Sequence, residues 1–122
     1  MRKIKFRGWD EKEKRMYSPK ELADLAGLWF EQSEDGSLEI SLIEDSYGCR
    51  RQFKKMQYTG LRDKNGVEIY EGDVIEYCIS EQETATVTFE HGVFWGNYPL
   101  YEVVEEKYFC KVIGNIFEGV DK

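Results

Sequence analysis

Polar and apolar residues alternate along most of this chain, and only one short stretch repeats at helical spacing. From Lys3 to Trp9, Lys3, Lys5 and Arg7 fall on one side and Ile4 and Phe6 on the other, which predicts a half-buried strand. The charged run Asp10–Lys14 then predicts a turn, and Arg15-Met16-Tyr17 a short antiparallel partner. Ser18-Pro19-Lys20-Glu21 has the form of a capping box, with proline where no amide donor is lost. Leu22, Leu25 and Ala26 supply an apolar stripe and Gly27 a left-handed C-terminal position. One helix of about two turns follows, too short to persist without packing on a sheet.

Further on, Leu28–Glu31 and the alternating Leu38, Ile40 and Leu42 flank Glu34-Asp35-Gly36, a hairpin signal. Asp45–Gly48 interrupts the alternation. The basic run Cys49–Lys55 is then either a boundary between two halves or the lead-in to a strand over Phe53–Tyr58. The stretch from Met56 to Tyr77 organises what comes after. Its Asn65-Gly66 pair predicts a tight hairpin turn with positive φ at both central positions. Gly72-Asp73 predicts a second turn, followed by a strand from Val74. Ala85, Val87 and Phe89 alternate with threonines and Glu90, and His91-Gly92 turns this strand into Val93–Tyr98, which Pro99 stops. The last strands are expected over Tyr108–Ile113 and Ile116–Glu118, hinged at Gly114-Asn115, with Glu102, Glu105 and Glu106 on an exposed loop or single turn before them.

These segments also carry a resemblance. Gln57-Tyr58-Thr59-Gly60-Leu61, Glu68-Ile69-Tyr70-Glu71-Gly72-Asp73 and Ile113-Gly114-Asn115-Ile116-Phe117, with Lys3–Asp10 and Met16-Tyr17, resemble the YopX-like proteins of phages and prophages over nearly the whole chain. The resemblance implies an SH3-like barrel, which agrees with five short strands and tight turns over residues 57–118. The expected fold is mainly β with one short helix. A C-terminal SH3-like β-barrel (56–122) packs on an N-terminal strand, helix and hairpin region (1–55).

Composition narrows the function classes. Apolar residues at 41% and aromatics at 15% suffice for a packed interior, and no apolar run approaches a membrane span. Met1-Arg2-Lys3 leads into an alternating strand rather than a signal core, and three well-separated cysteines fit reduced thiols, so a cytoplasmic protein is expected. Net charge is −7, divided unevenly: residues 1–55 carry 12 Lys/Arg against 11 Asp/Glu, and residues 56–122 carry 5 against 13. The acidic half disfavours phosphate. Nucleic acid is therefore the less favoured partner, reachable only through Lys3, Lys5, Arg7, Arg50, Arg51, Lys54 and Lys55 if these gather into one patch.

Candidate chemistry is sparse. His91, the only histidine, sits at a hairpin turn and reads as solvent-exposed. A nucleophilic triad would have to recruit it. Cys49, Cys78, Cys110 and His91 could supply four zinc ligands, but no C-x-x-C pair is present. Glu68, Glu71, Asp73 and Glu76 cluster in sequence, yet a strand-and-turn run disperses them over both faces, and Asp73 is expected to accept backbone hydrogen bonds in its turn. Tyr58, Tyr70, Tyr77, Trp95 and Tyr98 are the candidate binding residues, as an aromatic face of the kind such barrels offer peptides. The alternative is that their rings fill the core. The expectation is a non-enzymatic, phage-type accessory protein without cofactor or metal, acting as a protein-interaction module and able to self-associate. The alternatives are a nucleic-acid-associated factor using the basic N-terminal strand, or a small divalent-metal enzyme using the clustered carboxylates.

Overall fold

The computed structural model describes residues 5–25, 28–32, 38–43 and 50–120. The chain divides into two compact units, residues 5–57 and residues 58–120 of the described chain. It is mainly β, as the alternation predicts. Among the described residues no helix is long and apolar enough to cross a membrane.

In the first unit, β1 (Phe6–Asp10) turns through four charged residues into β2 (Arg15–Tyr17). Asp10 is buried, and its carboxylate accepts the amides of Lys12 (2.9 Å) and Glu13 (3.2 Å), which fixes the turn. Helix α1 (Pro19–Ala23) starts with the expected reciprocal cap: Glu21 N–H donates to Ser18 Oγ at 3.1 Å, and Ser18 N–H to Glu21 Oε1 at 3.2 Å. The Ser18 amide is the main reason the Glu21 carboxyl lies below its ordinary pKa, with Arg15 adding its charge. The helix is shorter than the apolar stripe suggests. Asp24, in ordinary helical conformation, closes it, and Gly27 lies outside the described residues.

Strands β3 (Leu28–Gln32), β4 (Leu38–Ile43) and β5 (Arg50–Arg62) complete an antiparallel sheet in the order β2-β1-β5-β4-β3. Gln32 pairs with Leu38, so the second hairpin forms, although Glu34-Asp35-Gly36 lies outside the described residues. The basic run is strand rather than boundary, since β5 begins at Arg50 and pairs with both β4 and β1. The core of this unit is Tyr17, Leu22 and Phe53, with Phe6 and Leu25 against it and the Tyr17 and Phe53 rings edge to face at 5.2 Å. A Cβ on Gly8 would stand 3.0 Å from that of Phe53, so glycine lets the ring sit directly on β1.

The second unit is a small β-barrel of short curled sheets. The last residues of β5 pair with β6 (Glu68–Tyr70). Strands β7 (Asp73–Cys78) and β8 (Gln82–Thr86) continue the chain, β9 (Thr88–Glu90) pairs with β10 (Val93–Gly96), and β10 with β11 (Tyr98–Pro99). β12 (Lys111–Asn115) returns between β7 and β13 (Gly119–Val120), giving the order β13-β12-β7-β8. Val87 is the corner where one run of chain passes from the first sheet to the second. Its amide donates to the Asp73 carbonyl and its carbonyl accepts from Gly72, both at 2.8 Å. The core holds Ile69, Ile75, Tyr77, Ala85, Val87, Phe94, Leu100, Val103 and Cys110.

Three expected details differ. A second helix, α2 (Leu100–Val103), and a 3-10 turn (Glu106–Tyr108) occupy the stretch expected as loop or single turn. The strand expected over Tyr108–Ile113 runs Lys111–Asn115, and Ile116–Glu118 is a turn rather than a strand. That turn forms because Asn115 Oδ1 accepts the Phe117 (3.0 Å) and Glu118 (2.8 Å) amides and so draws the chain round. Of the Asn65-Gly66 pair only Gly66 has positive φ; the two-residue turn with both central residues positive is His91-Gly92, at φ 53° and 78°.

Two substitutions test this account. Ser18→Ala removes the helix cap and is expected to lower stability by about 1 kcal/mol in urea denaturation. Gly114→Ala places a Cβ against the Gly119 carbonyl and 2.7 Å from Val120 Cα, both backbone, so it cannot be absorbed by a rotamer change. It is expected to lower the thermal midpoint by far more than Ser18→Ala, or to prevent folding, as followed by circular dichroism.

Candidate functional site

The most distinctive part of the sequence is its least available for chemistry. In β5, Tyr58 opposes Tyr70 and Arg62 opposes Glu68, so the β5 side of the ladder holds two residues more than the β6 side. The surplus is a bulge centred on Gly60 at φ 86°. Buried Thr59 stitches it: its hydroxyl donates to the Ile69 carbonyl at 2.8 Å and accepts the Leu61 amide at 3.1 Å. Asp63 is also buried. Its Oδ1 accepts the amides of Asn65 and Val67, and its Oδ2 that of Val112 on β12, each at 2.9 Å. This explains why Asn65 keeps negative φ: the carboxylate holds a five-residue loop, so the two-residue turn does not form. Asp73, 1% exposed, accepts the Tyr70 amide at 2.8 Å, the role expected of it.

These bends leave an open apolar cleft of about 360 Å³ on the barrel. Thr59, Gly60 and Leu61 of the bulge form one wall, Gly92, Val93 and Phe94 of the β9–β10 hairpin another, and Leu100 and Tyr101 of α2 the third. Tyr101 is 62% exposed, whereas Leu100 beside it is fully buried. A Cβ on Gly92 would meet nothing within 4 Å, so the hairpin tip leaves the mouth open. A second cleft, about 610 Å³, runs beside Phe109, which is 64% exposed and has φ 51°, uncommon for a bulky residue. Its walls carry both signs, Lys64 and Lys107 against Glu105 and Glu106. Lys107 pairs with Glu105 at 3.2 Å.

The five aromatic residues nominated from the sequence do not gather on one surface. Tyr58 and Tyr70 are buried, their rings 5.5 Å apart. Tyr77 is buried, accepts the Asn97 side-chain amide at 2.9 Å, and meets the half-exposed Tyr98 edge to face at 6.5 Å. Trp95 is half-buried on β10, its indole N–H donating to the Glu90 carbonyl at 3.2 Å. Tyr101 and Phe109, not nominated, are the most exposed large apolar side chains among those described. The signal that could have marked Tyr101 is its place between Leu100 and Glu102, after a helix-starting proline.

The remaining candidates separate in space. His91 is exposed at its turn. Cys78 is exposed, Cys110 is buried, and Cys49 lies outside the described residues. Among the described residues no three His, Cys, Asp or Glu side chains converge as a ligand set. Glu76 faces Lys111 across the β7–β12 ladder, and Glu68 accepts from the Tyr70 hydroxyl at 3.4 Å. Of the basic residues, register places Arg7 and Lys54 on one face of β1–β5 and Lys55 on the other. Burial, with a smaller contribution from the Asp63 charge, pushes the Cys110 thiol up to about 11.

The family model described as YopX protein matches residues 5–120. The crystal structure of protein EF1440 from Enterococcus faecalis is similar at 25% identity and a TM-score of 0.64, over 97% of this chain and 96% of that one. No curated protein matches the chain.

Because the thiolate is the reactive form, Cys110 is expected to resist iodoacetamide at pH 8 in the folded protein while Cys78 is modified readily, as read by peptide mass spectrometry. The stability this thiol contributes is fully present below its unfolded pKa of about 9 and lost as pH rises through about 11. Alkylation of Cys110 as fast as Cys78 at pH 8 contradicts the burial described.

Proposed function

Because the chain belongs to the YopX protein family, we propose that it is a phage- or prophage-type accessory protein of the cytoplasm that acts as a non-catalytic protein-interaction module. The observation that carries this is how the side-chain oxygens of the signature are used. Thr59, Asp63, Asp73 and Asn115 each accept main-chain amides, so the most distinctive polar residues build bends. A general base or nucleophile needs a free lone pair beside a reacting atom. What the bends leave at the surface is an apolar cleft beside an exposed tyrosine, the kind of feature a partner's side chain fills. Free thiols at Cys78 and Cys110 accord with a reducing compartment.

The nucleic-acid alternative gains nothing from the strand register, which divides Arg7 and Lys54 from Lys55. Affinity capture with the tagged full chain from a lysogenic host is expected to recover a stoichiometric protein partner. It is also expected that titration with single- and double-stranded DNA at low salt gives only weak binding. Tight, steeply salt-dependent DNA binding, or turnover of a small substrate with no partner recovered, would contradict the proposal.

A further inference from the structure

Taking the interaction-module reading as its basis, we propose that the cleft beside Tyr101 receives a short segment of a partner protein in which one bulky apolar side chain is flanked by lysines or arginines. The cleft sets the first half of that description. Leu61, Val93, Phe94 and Leu100 make its walls apolar, and no charged side chain is among its lining residues. Its volume of about 360 Å³ is at the small end of ligand pockets, which suits one anchoring side chain rather than a folded surface. Tyr101 stands exposed at its rim with a ring to cover the anchor and a hydroxyl for a main-chain group.

Charge sets the second half. The stretch from residue 65 to residue 106 supplies the hairpin and helix walls of the cleft. It contains ten Asp/Glu and no Lys or Arg. Only Asp73 among those ten is buried; the rest are half-buried or exposed. Glu90 and Glu102 are both exposed, one closing the β9 side of the hairpin and the other next to Tyr101. The bulge wall adjoins Arg62, which pairs with Glu68 at 3.9 Å, so acidic groups dominate the field around the seat and select an anchor with basic residues beside it. An acidic segment, an anionic lipid surface or a phosphate backbone would meet the same field as repulsion.

Fluorescence anisotropy with the full chain tests this with defined probes. One is a fluorescein-labelled library of eight-residue peptides with central Leu, Phe or Trp and Lys/Arg flanks. The controls are a matched library with Asp/Glu flanks and one with a central Gly. The basic apolar library is expected to bind at least about tenfold more tightly than either control, and to weaken as salt rises. Tyr101→Ala removes the rim ring at an exposed position. Gly92→Asn adds a side chain at the hairpin edge of the cleft, at a positive φ of 78° that strains any side chain and that asparagine tolerates best. Each is expected to weaken binding about tenfold, Tyr101→Ala with the thermal midpoint unchanged and Gly92→Asn with it slightly lowered.

Equal binding of the acidic library, absence of binding, or indifference to both variants would overturn the proposal. So would self-association that depends on Tyr101, because the occupant would then be a second copy of this chain. If Tyr101→Ala captures the host partner as well as the unaltered protein does, the cleft assignment falls while the interaction-module reading stands.

Discussion

Three main-chain amides converge on one buried carboxylate, and the barrel depends on that convergence. Asp63 gathers Asn65 and Val67 from its own loop and Val112 from a strand 49 residues away. A carboxylate taken out of water without partners costs several kcal/mol, whereas each hydrogen bond to a charged group contributes about 1.5–3 kcal/mol. Each donor offsets part of that cost, so the carboxylate couples formation of the loop to formation of β12. The Lys64 amide, donating to the Cys110 carbonyl at 2.9 Å, fixes the same junction from the main-chain side.

The same device recurs at the other bends. Thr59 closes the bulge, Asp73 the turn after β6, Asn115 the turn after β12 and Asp10 the first hairpin. A barrel this small must bend sharply within a few residues, and each bend leaves amides that the ladder cannot satisfy. Short polar side chains supply the missing acceptors from within the turn. The geometry has a consequence at the surface: the bulge at Gly60 and the turn at Gly92 each contribute a wall to one cleft. Sharp bending both closes the core and opens the seat beside Tyr101.

Much of this was legible in the sequence where a local rule decides the outcome. The Ser18–Glu21 box, the two-residue turn at His91-Gly92 and the hydrogen-bonding part played by Asp73 each depend on residues a few positions apart. The Asn65-Gly66 pair sits in a longer loop because Asp63, just ahead of the two-residue turn, accepts the Asn65 and Val67 amides, and its other oxygen is held by Val112 from far along the chain. The aromatic residues show another limit. Alternation tells which side chains share a face, but in a barrel curled on a core it does not tell which face meets water. Tyr58, Tyr70 and Tyr77 alternate as well as any surface residue and are buried. Tyr101 follows no strand period because a single helical turn presents it.

Amide hydrogen exchange by NMR on Asp63→Ala beside the unaltered protein tests the central claim most directly. In the unaltered protein the Val67 and Val112 amides should be protected together, although Val67 lies in a loop and carries no ladder bond through its amide. In the variant both should lose protection while the Gly8–Tyr17 region of the first unit keeps its own. A Val67 amide that exchanges at the rate of an open loop in the unaltered protein, or a Val112 amide unchanged by the substitution, would contradict the account.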